Sequence, residues 1–386
     1  MENTELKKTL VQWRHDLHRY PETAFEEKNT AAYVAEKLRS LGLKTETKIG
    51  GTGVVATLQA GCGSRTIGIR ADMDALNLSE ISCHDHVSAQ QGKMHGCGHD
   101  GHTATLLGAA LLLSSEPSFN GTVRFVFQPA EEPGKGAQAM IDDGLFERFP
   151  MDEIYGLHNA PFLPAGTVNT RIGGIAASED DFTIRITGKG GHASGPHLAN
   201  DPQMSAAEIY MALQTIVSRN ANPVHPLVVS CTEIETDGIH NAMPTHVEIR
   251  GDARSTSPED QKLIEDRMRS ICEGICTMNG MKCDFRYTHE FYPVVNDKTC
   301  TAAALQAAVK CLGQDRVNGD CEPWMASEDF AAFLKKVPGC FLLLGSGPDA
   351  DPAKNTPLHN PAFDYNDEIL ADGARLWEAL VRERLA

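Results

Sequence analysis

The stretch Thr66-Ile-Gly-Ile-Arg-Ala-Asp-Met-Asp74 carries a buried strand pattern that runs directly into two carboxylates. The same order, a strand followed by reactive side chains, recurs twice later in the chain. Glu131-Glu132 follows the strand pattern at 123–127, and His158 follows the pattern at 154–157. Because ligand sites in parallel α/β sheets lie beyond the carboxyl ends of the strands, these segments predict a single site at one edge of a sheet.

Helical patterns alternate with these strands. They lie at 24–41, 103–113 and 369–384, and a further amphipathic helix occupies the N-terminal residues up to Tyr20-Pro21. Apolar strands separated by helices are typical of a mostly parallel sheet that is covered by helices. The sequence therefore predicts an α/β domain with a mostly parallel sheet flanked by helices.

The middle of the chain has a different texture. Strand patterns at 181–187, 227–235 and 247–254 alternate apolar and polar residues, and helical patterns lie at 202–218 and 258–278. Half-buried strands with helices on one side indicate a separate α+β domain of about 110 residues. After about Pro293 the first texture returns. We therefore predict a discontinuous domain at 1–178 and 293–386 with a smaller domain inserted at 179–292.

A metal-ligand motif lies at Met94-His-Gly-Cys-Gly-His-Asp-Gly-His102. Imidazole, thiolate and carboxylate groups are the ligands that borderline-soft divalent metals accept. The glycines on both sides of Cys97 allow turn conformations that bring neighbouring side chains together. This segment predicts a metal site.

Five side chains in turn-like contexts at element ends are candidate ligands: Cys97, His99, Glu132, His158 and His359. Five ligands exceed one tetrahedral zinc site and suit two cations that share a ligand and a water molecule. Glu131 is adjacent to Glu132, and two neighbouring carboxylates repel unless one binds metal and the other handles protons. We expect Glu131 to act as the general base.

Other polar side chains are assigned supporting roles. Asp72 or Asp74 is expected to orient a metal-bound imidazole, and Asp72 is the preferred candidate. His192 follows an amphipathic strand in a glycine-rich turn, where an imidazole is placed to stabilise an oxyanion. Asn241 and Arg254 are candidate donors to a substrate carboxylate.

Composition excludes several classes of function. The 386 residues carry 35 Lys and Arg against 52 Asp and Glu, a net charge of −17. This balance argues against nucleic acid or an anionic membrane as a partner. No apolar run approaches the roughly 20 residues of a membrane span. The 11 scattered cysteines indicate reduced thiols and a cytoplasmic protein.

Two further groups of candidate ligands are assigned structural roles. His84-Asp85-His86 is predicted to be a solvated loop. Cys272, Cys276 and Cys283 resemble a zinc-finger spacing only loosely, and their helical context favours thiols in the core or on the surface.

Ordered motifs along nearly the whole chain resemble a known family. The segments that carry the resemblance are 13–18, 70–76, 94–102, 128–132, 157–159, 190–193, 327–330 and 358–361. They resemble the hippurate hydrolase and auxin-conjugate hydrolase branch of the aminoacylase-like di-metal amidohydrolases and peptidases. Asn77, Gly96 and the Ala242-Met243 pair depart from the family pattern, but every ligand and the base are present.

The resemblance implies a catalytic domain with an inserted lid domain that often mediates dimerisation, so a homodimer through the lid is expected. It implies the same five metal ligands, with Glu131 as the base and His192 as oxyanion donor within its own chain or towards a partner subunit. The cofactor is expected to be two divalent ions per subunit, of zinc, manganese, cobalt or nickel, and the mixed donors do not choose between them.

The predicted function is therefore metal-dependent hydrolysis of an N-acyl amino acid to a carboxylate and a free amino acid. A water between the two metals attacks the amide carbonyl, and Glu131 transfers the proton. Two alternatives stay open: a dipeptidase or carboxypeptidase with the same metals, and a non-catalytic metal-binding module. The preference for an acyl group and an amino acid depends on a few pocket contacts.

Overall fold

The computed structural model describes residues 2–349 and 351–386, and the chain divides into two compact units. The larger unit comprises Met1–Gly173, Asn296–Glu322 and Asp329–Ala386, and the smaller comprises Gly174–Val295 and Pro323–Glu328. The boundaries predicted at 178 and 293 assign residues 323–328 to the larger domain, whereas the structure assigns them to the smaller unit. This segment packs with the smaller unit because the Trp324 amide donates to the Ile175 carbonyl at 2.7 Å.

The larger unit is built on an eight-stranded sheet. In spatial order its strands are Lys44–Ile49, Gly53–Ala60, Gly121–Gln128, Thr66–Asp72, Glu153–Pro164, Gly339–Gly347, Val168–Asn169 and Val317–Asn318. The four central strands pair in parallel, and the flanking pairs are mostly antiparallel. Thr66–Asp72 lies in the middle, where almost every residue is buried. The prediction of an α/β fold with a mostly parallel sheet is confirmed.

Helices cover this sheet. They are Asn3–Arg19, Lys28–Ser40, His99–Ser115, Gly136–Asp142, Leu145–Arg148, Lys298–Leu312, Ala331–Leu334 and Leu370–Arg384. His99–Ser115 is enclosed, with 14 of its 17 residues buried, which agrees with an apolar composition on every side. Gly108 lets the first and last helices approach it, because a Cβ there would lie 2.8 Å from Leu10 and 3.0 Å from Ala374.

The smaller unit is an antiparallel sheet with two helices. Its strands, in spatial order, are Leu227–Thr236, His246–Ser255, Glu179–Thr187 and Lys282–Phe291. Strand His246–Ser255 alternates buried and part-exposed residues, as expected for a sheet with one face on a core. The helices Pro202–Thr215 and Pro258–Met278 contribute to that core. Cys272 and Cys276 are buried in it, so they are core thiols.

Two element boundaries differ from the sequence prediction in a way that matters for the site. The helix predicted over 103–113 begins at His99, so a stretch read as a turn supplies the first helical turn. The strand predicted to end at 157 continues to Pro164, so His158 lies within a strand. Propensity underestimated both elements because tertiary packing extends them.

Within the described residues, no helix combines the length and the apolar character needed to cross a membrane.

Candidate metal centre

Three strands of the parallel region deliver side chains to one edge of the sheet. Asp72 is the last residue of its strand, and Asp74 lies two residues beyond it. Glu131-Glu132 follows the end of the neighbouring strand at Gln128, and His158 belongs to the strand on the other side. Parallel pairing brings these carboxyl ends together, as the sequence pattern predicts.

A tight turn places Cys97 and His99. Gly98 precedes the helix with a φ of 95°, a left-handed conformation that favours glycine. Space enforces the same choice, because a Cβ at Gly98 would lie 2.6 Å from Asn159 Oδ1. The turn puts Cys97 Sγ 3.4 Å from His158 Nε2.

The structure brings the predicted ligands together in three overlapping groups. Within each group the candidate ligand atoms all lie within 4.8 Å of one another: Cys97, His99 and His158; Cys97, Glu132 and His359; His99, Glu131 and Glu132. Cys97, His99 and Glu132 each belong to two groups, so the donors surround more than one position. Thiolate, imidazole and carboxylate donors at this spacing suit borderline divalent cations.

Two buried atoms in this cluster have no hydrogen-bond partner among the residues that the structure describes. They are His99 Nε2 and Glu132 Oε1, which lie 3.9 Å apart. Leaving such polar atoms unpaired in a buried site is costly unless a ligand satisfies them. A divalent cation between them would supply the missing partner, so the donor set fits a metal.

His359 reaches the cluster from a strained backbone. Its φ is 60°, which is uncommon for a residue with a Cβ, and its amide donates to the Gly96 carbonyl at 2.8 Å. Its Nε2 lies 3.4 Å from Glu132 Oε2 while 54% of the side chain is exposed. Strain of this kind is concentrated at functional sites.

The two aspartates contact different histidines. Asp74 Oδ1 lies 3.3 Å from His99 Nδ1, which leaves His99 Nε2 facing the cluster. Asp72 Oδ1 lies 2.6 Å from His102 Nδ1, and its other oxygen accepts from Arg70 at 2.7 Å. The contact that orients a candidate ligand is therefore made by Asp74, whereas the sequence favoured Asp72.

Asp74 also holds the glutamate pair. Its two oxygens accept the backbone amides of Glu131 and Glu132 at 3.0 and 3.1 Å. The preceding residue, Ala130, has a φ of 50° and turns the chain out of the strand. Glu131 is buried, its Oε1 accepts from the Asp329 amide at 3.4 Å, and its Oε2 lies 3.9 Å from His99 Nε2.

Sequence reasoning gave no role to two buried residues that support this arrangement. His102 lies between Asp72 and Asn159 Oδ1, the latter at 2.7 Å from its Nε2. Asp329 binds Gln128 at 2.7 Å and the Ala137 amide at 2.9 Å. Both residues lie in motifs that carried the family resemblance, and this location was the only indication in the sequence that they support the site.

Electrostatics at the centre favour positive charge near His99. Burial alone would lower its pKa, but the carboxylates of Asp72 and Asp74 outweigh that effect and raise the pKa to about 10. His158 is the opposite case, because burial and the neighbouring imidazole of His102 hold its pKa well below 6.5. Burial raises the pKa of Glu132, but His359 and His99 outweigh this effect and lower the pKa below its usual value.

The other predicted site residues belong to the smaller unit. His192 is exposed, and its Nδ1 contacts the Ser194 hydroxyl at 2.8 Å, which leaves Nε2 available. Asn241 lies beside it, since its carbonyl accepts the Ala193 amide at 3.0 Å. Arg254 is engaged differently. Its guanidinium contacts Asp252, Glu179 and the Met325 carbonyl.

The segment 84–86 is a loop with Asp85 exposed, as predicted, but the prediction that it is solvated was wrong for His86. His86 is buried and its ring stacks on His84 with centroids 3.7 Å apart. Its Nε2 lies 2.9 Å from Arg14 and 3.1 Å from Asp364. These partners are distant in sequence, so composition alone gave no indication of burial.

Comparison with known proteins identifies the family of this chain. The model of the peptidase family M20/M25/M40 matches residues 68–383. Hippurate hydrolase of Campylobacter jejuni is 38% identical over 374 residues, covering 96% of this chain and 95% of its own. N-acetyl-L-cysteine deacetylase of Bacillus subtilis is 37% identical, with 95% and 85% covered.

Solved structures agree as well. A dinuclear metal-binding peptidase of the M20 family from Bacillus subtilis superposes with a TM-score of 0.85 at 31% identity, with 99% of each chain covered.

Among the relatives by sequence is also an IAA-amino acid hydrolase of Arabidopsis thaliana, 35% identical over 97% of this chain and 86% of its own. The resemblance to the hippurate hydrolase and auxin-conjugate hydrolase branch is thus confirmed. This chain belongs to the peptidase family M20/M25/M40.

Proposed function

We propose that this protein is a metal-dependent amidohydrolase that cleaves N-acyl amino acids to a carboxylate and a free amino acid. Hippurate hydrolase, N-acetyl-L-cysteine deacetylase and IAA-amino acid hydrolase are relatives that match over nearly the whole chain. The single observation that carries the proposal is the cluster of five metal-type donors beside the buried carboxylate of Glu131.

The proposed ligands of two divalent cations are Cys97, His99, Glu132, His158 and His359. When bound, such cations lower the pKa of a water molecule and stabilise negative charge on an amide oxygen. Nitrogen, sulfur and oxygen donors together accommodate zinc, manganese, cobalt or nickel. Asp74 orients the His99 imidazole, and the buried His158 is held in the neutral form that binds metal.

Glu131 is the proposed general base. Its carboxylate is close to His99 and Glu132, and its backbone is anchored by Asp74. It takes a proton from the attacking water and delivers it to the leaving nitrogen. Asp329 donates its amide to the same carboxylate, which keeps one oxygen oriented.

His192 is the proposed donor to the oxyanion, acting either within its own chain or on a partner subunit's centre. The contact with Ser194 supports this role because it fixes one ring nitrogen and leaves the other to donate. Asn241 and Arg254 are the proposed donors to the substrate carboxylate. Arg254 would have to exchange one of its present carboxylate partners for the substrate.

The test of the catalytic role is Glu131→Gln, with the exposed Glu147→Gln as matched control. Loss of the base should lower turnover of benzoyl- and acetyl-amino acids by at least about 10², with metal content unchanged. Glu147→Gln should retain wild-type turnover. An undiminished rate in Glu131→Gln would show that another group moves the proton.

The test of metal dependence is removal and replacement of the ions. Chelation should abolish hydrolysis, and zinc, manganese, cobalt or nickel added singly should restore it to different extents. A rate unchanged after complete removal of metal would contradict the proposal.

A carboxypeptidase or dipeptidase is the second candidate. Thermostable carboxypeptidase 1 of Saccharolobus solfataricus is 36% identical over 375 residues of this chain. Turnover of N-acyl amino acids and of free-amine dipeptides, compared at equal concentration, decides between the two. Faster cleavage of free-amine dipeptides would favour the second candidate.

We also propose a homodimer through the smaller unit and a cytoplasmic location. The edge strand Leu227–Thr236 exposes Val228 and Ile234, which supports pairing with a second copy. The eleven cysteines occur as thiols, which supports a reducing compartment. Light scattering on the purified protein measures the oligomeric state, and a monomeric mass would refute the dimer.

A further inference from the structure

A second cluster of metal-type donors lies in the larger unit, built around His18 and His84. The candidate ligand atoms of His18, His84 and Asp364 all lie within 4.8 Å of one another. Glu80 joins them, because its Oε1 lies 3.0 Å from His84 Nε2 and 3.3 Å from His18 Nε2. None of these residues is among the proposed ligands of the catalytic centre.

Three pairs of donor atoms have distances close to those between the ligands of one tetrahedral ion. Bonds of about 2.0–2.1 Å place the ligands of tetrahedral zinc about 3.3 Å apart. The pairs from His84 Nε2 to Glu80 and to Asp364 measure 3.0 and 3.9 Å, and the pair from His18 to Glu80 measures 3.3 Å. In the catalytic cluster, Cys97 Sγ lies 3.4 Å from His158 Nε2. Glu132 lies 3.4 Å from His359 Nε2 and 3.9 Å from His99 Nε2.

The imidazoles are arranged as ligands. His18 is fully buried and directs Nδ1 to Asp100 Oδ2 at 2.8 Å, so its Nε2 faces the cluster. A carboxylate on the far nitrogen is the usual support of a metal-binding histidine. Both ring nitrogens of His84 are buried, and among the described residues neither has a partner with hydrogen-bond geometry, although Nε2 lies 3.0 Å from Glu80 Oε1 and the ring is partly exposed.

The carboxylates are held in place, and they outnumber the guanidinium that lies among them. Glu80 Oε2 accepts the Ser88 amide at 2.7 Å, which fixes the oxygen that faces the imidazoles. Around the cluster lie the carboxylates of Glu80, Asp100, Asp364 and Asp367, with the guanidinium of Arg14 among them. Burial lowers the pKa of His18, but Asp100 and Glu80 outweigh this effect and raise the pKa to about 9. A divalent cation would displace that proton and balance the remaining negative charge.

We propose that His18, Glu80, His84 and Asp364 form a separate binding site for one zinc-type divalent cation. The donor set of two nitrogens and two oxygens suits zinc, whereas magnesium and calcium prefer oxygen ligands and higher coordination numbers. The ion ties the first helix to the irregular segment 77–93 and to the residues that precede the last helix. Its role is structural, because all four positions are taken by protein side chains.

The experiment measures zinc bound per chain after saturation and desalting, in the wild type and in His84→Ala. The decisive quantity is the zinc content of the wild type minus that of His84→Ala, which we expect to be about one ion per chain. His15→Gln is the matched control: His15 stacks on His86 nearby but is not one of the four donors, so this variant should keep the wild-type content. Asp364→Asn should reproduce the loss independently, and circular dichroism checks folding of each variant.

Cobalt substitution distinguishes this ion from those of the catalytic centre. Cobalt at the catalytic centre is expected to show a thiolate charge-transfer band from Cys97, and the additional site has no sulfur ligand. The spectrum lost in His84→Ala should therefore contain tetrahedral ligand-field bands without that charge-transfer band. Equal zinc content in wild type and His84→Ala would overturn the proposal, whatever the hydrolysis assays show. So would a lost spectrum that contains the thiolate band.

Discussion

Asp74 is the residue on which the geometry of the proposed centre depends most, and Asp74→Asn tests that dependence. Its carboxylate contacts His99 Nδ1 with one oxygen and accepts the amides of Glu131 and Glu132 with both. An asparagine has nearly the same shape but replaces one oxygen with an NH₂ group. Whichever way the amide is oriented, at least one of these donors then faces another donor.

The size of the effect follows from the hydrogen bonds that an asparagine cannot accept. A buried donor without a partner costs about 1–3 kcal/mol, and groups that orient metal ligands typically contribute about 10- to 100-fold to affinity or activity. We therefore expect Asp74→Asn to lower kcat/KM for an N-acyl amino acid by about 10- to 100-fold and to weaken metal binding. The fold should survive, because the substitution leaves the apolar core cluster of the larger unit unchanged.

The assay compares kcat/KM and metal content of Asp74→Asn with those of the wild type and of Asp142→Asn. Asp142 is exposed and its side chain accepts a hydrogen bond from Gln138 on the same helix, so that variant removes the same charge without disturbing the site. If Asp74→Asn stayed within about twofold of the wild type in both quantities, the orienting role would be refuted.

Two further predictions concern stability. Gly101→Ala should lower the free energy of unfolding by about 1–3 kcal/mol, because the new Cβ would lie 2.3 Å from the buried Tyr365 ring. Gly274 also lies in a helix but has open space around it, so Gly274→Ala should raise that free energy by up to about 1 kcal/mol. Urea unfolding measures the free energy of both variants, and equal effects would contradict the steric argument. Burial raises the pKa of Glu153, but the bidentate contact with Arg384 outweighs this and holds the pKa below 4.5. The pair therefore stabilises the fold above about pH 4.5, so the stability difference between wild type and Glu153→Gln should shrink as the pH falls below that value, and a constant difference would argue against the ion pair.

The sequence predicted the strands and the clustering of the candidate ligands because both depend on local patterns. The stretch 66–74 combines apolar residues with carboxylates at the strand end, and parallel pairing then brings the strand ends together. Cys97 and His99 were recognisable from residue types that bind metals and from glycines that permit a turn. These features need no knowledge of distant contacts.

The remaining features depend on partners that sequence order does not reveal. Asp72 and Asp74 are two residues apart, so alternation along a strand places both on one side and does not decide which reaches His99. The burial of His86 depends on Asp364, which lies 278 residues away. The assignment of residues 323–328 to the smaller unit depends on pairing with Ile175 and Ala177.

The enclosure of helix His99–Ser115 has a consequence for how long the proposed centre keeps its shape. A helix on a protein surface frays at its first turn, but here the first turn is surrounded by side chains from the rest of the larger unit. Its amide protons should exchange with solvent only when that unit opens globally. The ligands on this turn should therefore keep their positions as long as the larger unit stays folded. Bound ions would then dissociate from the folded protein and not through local unfolding of the helix.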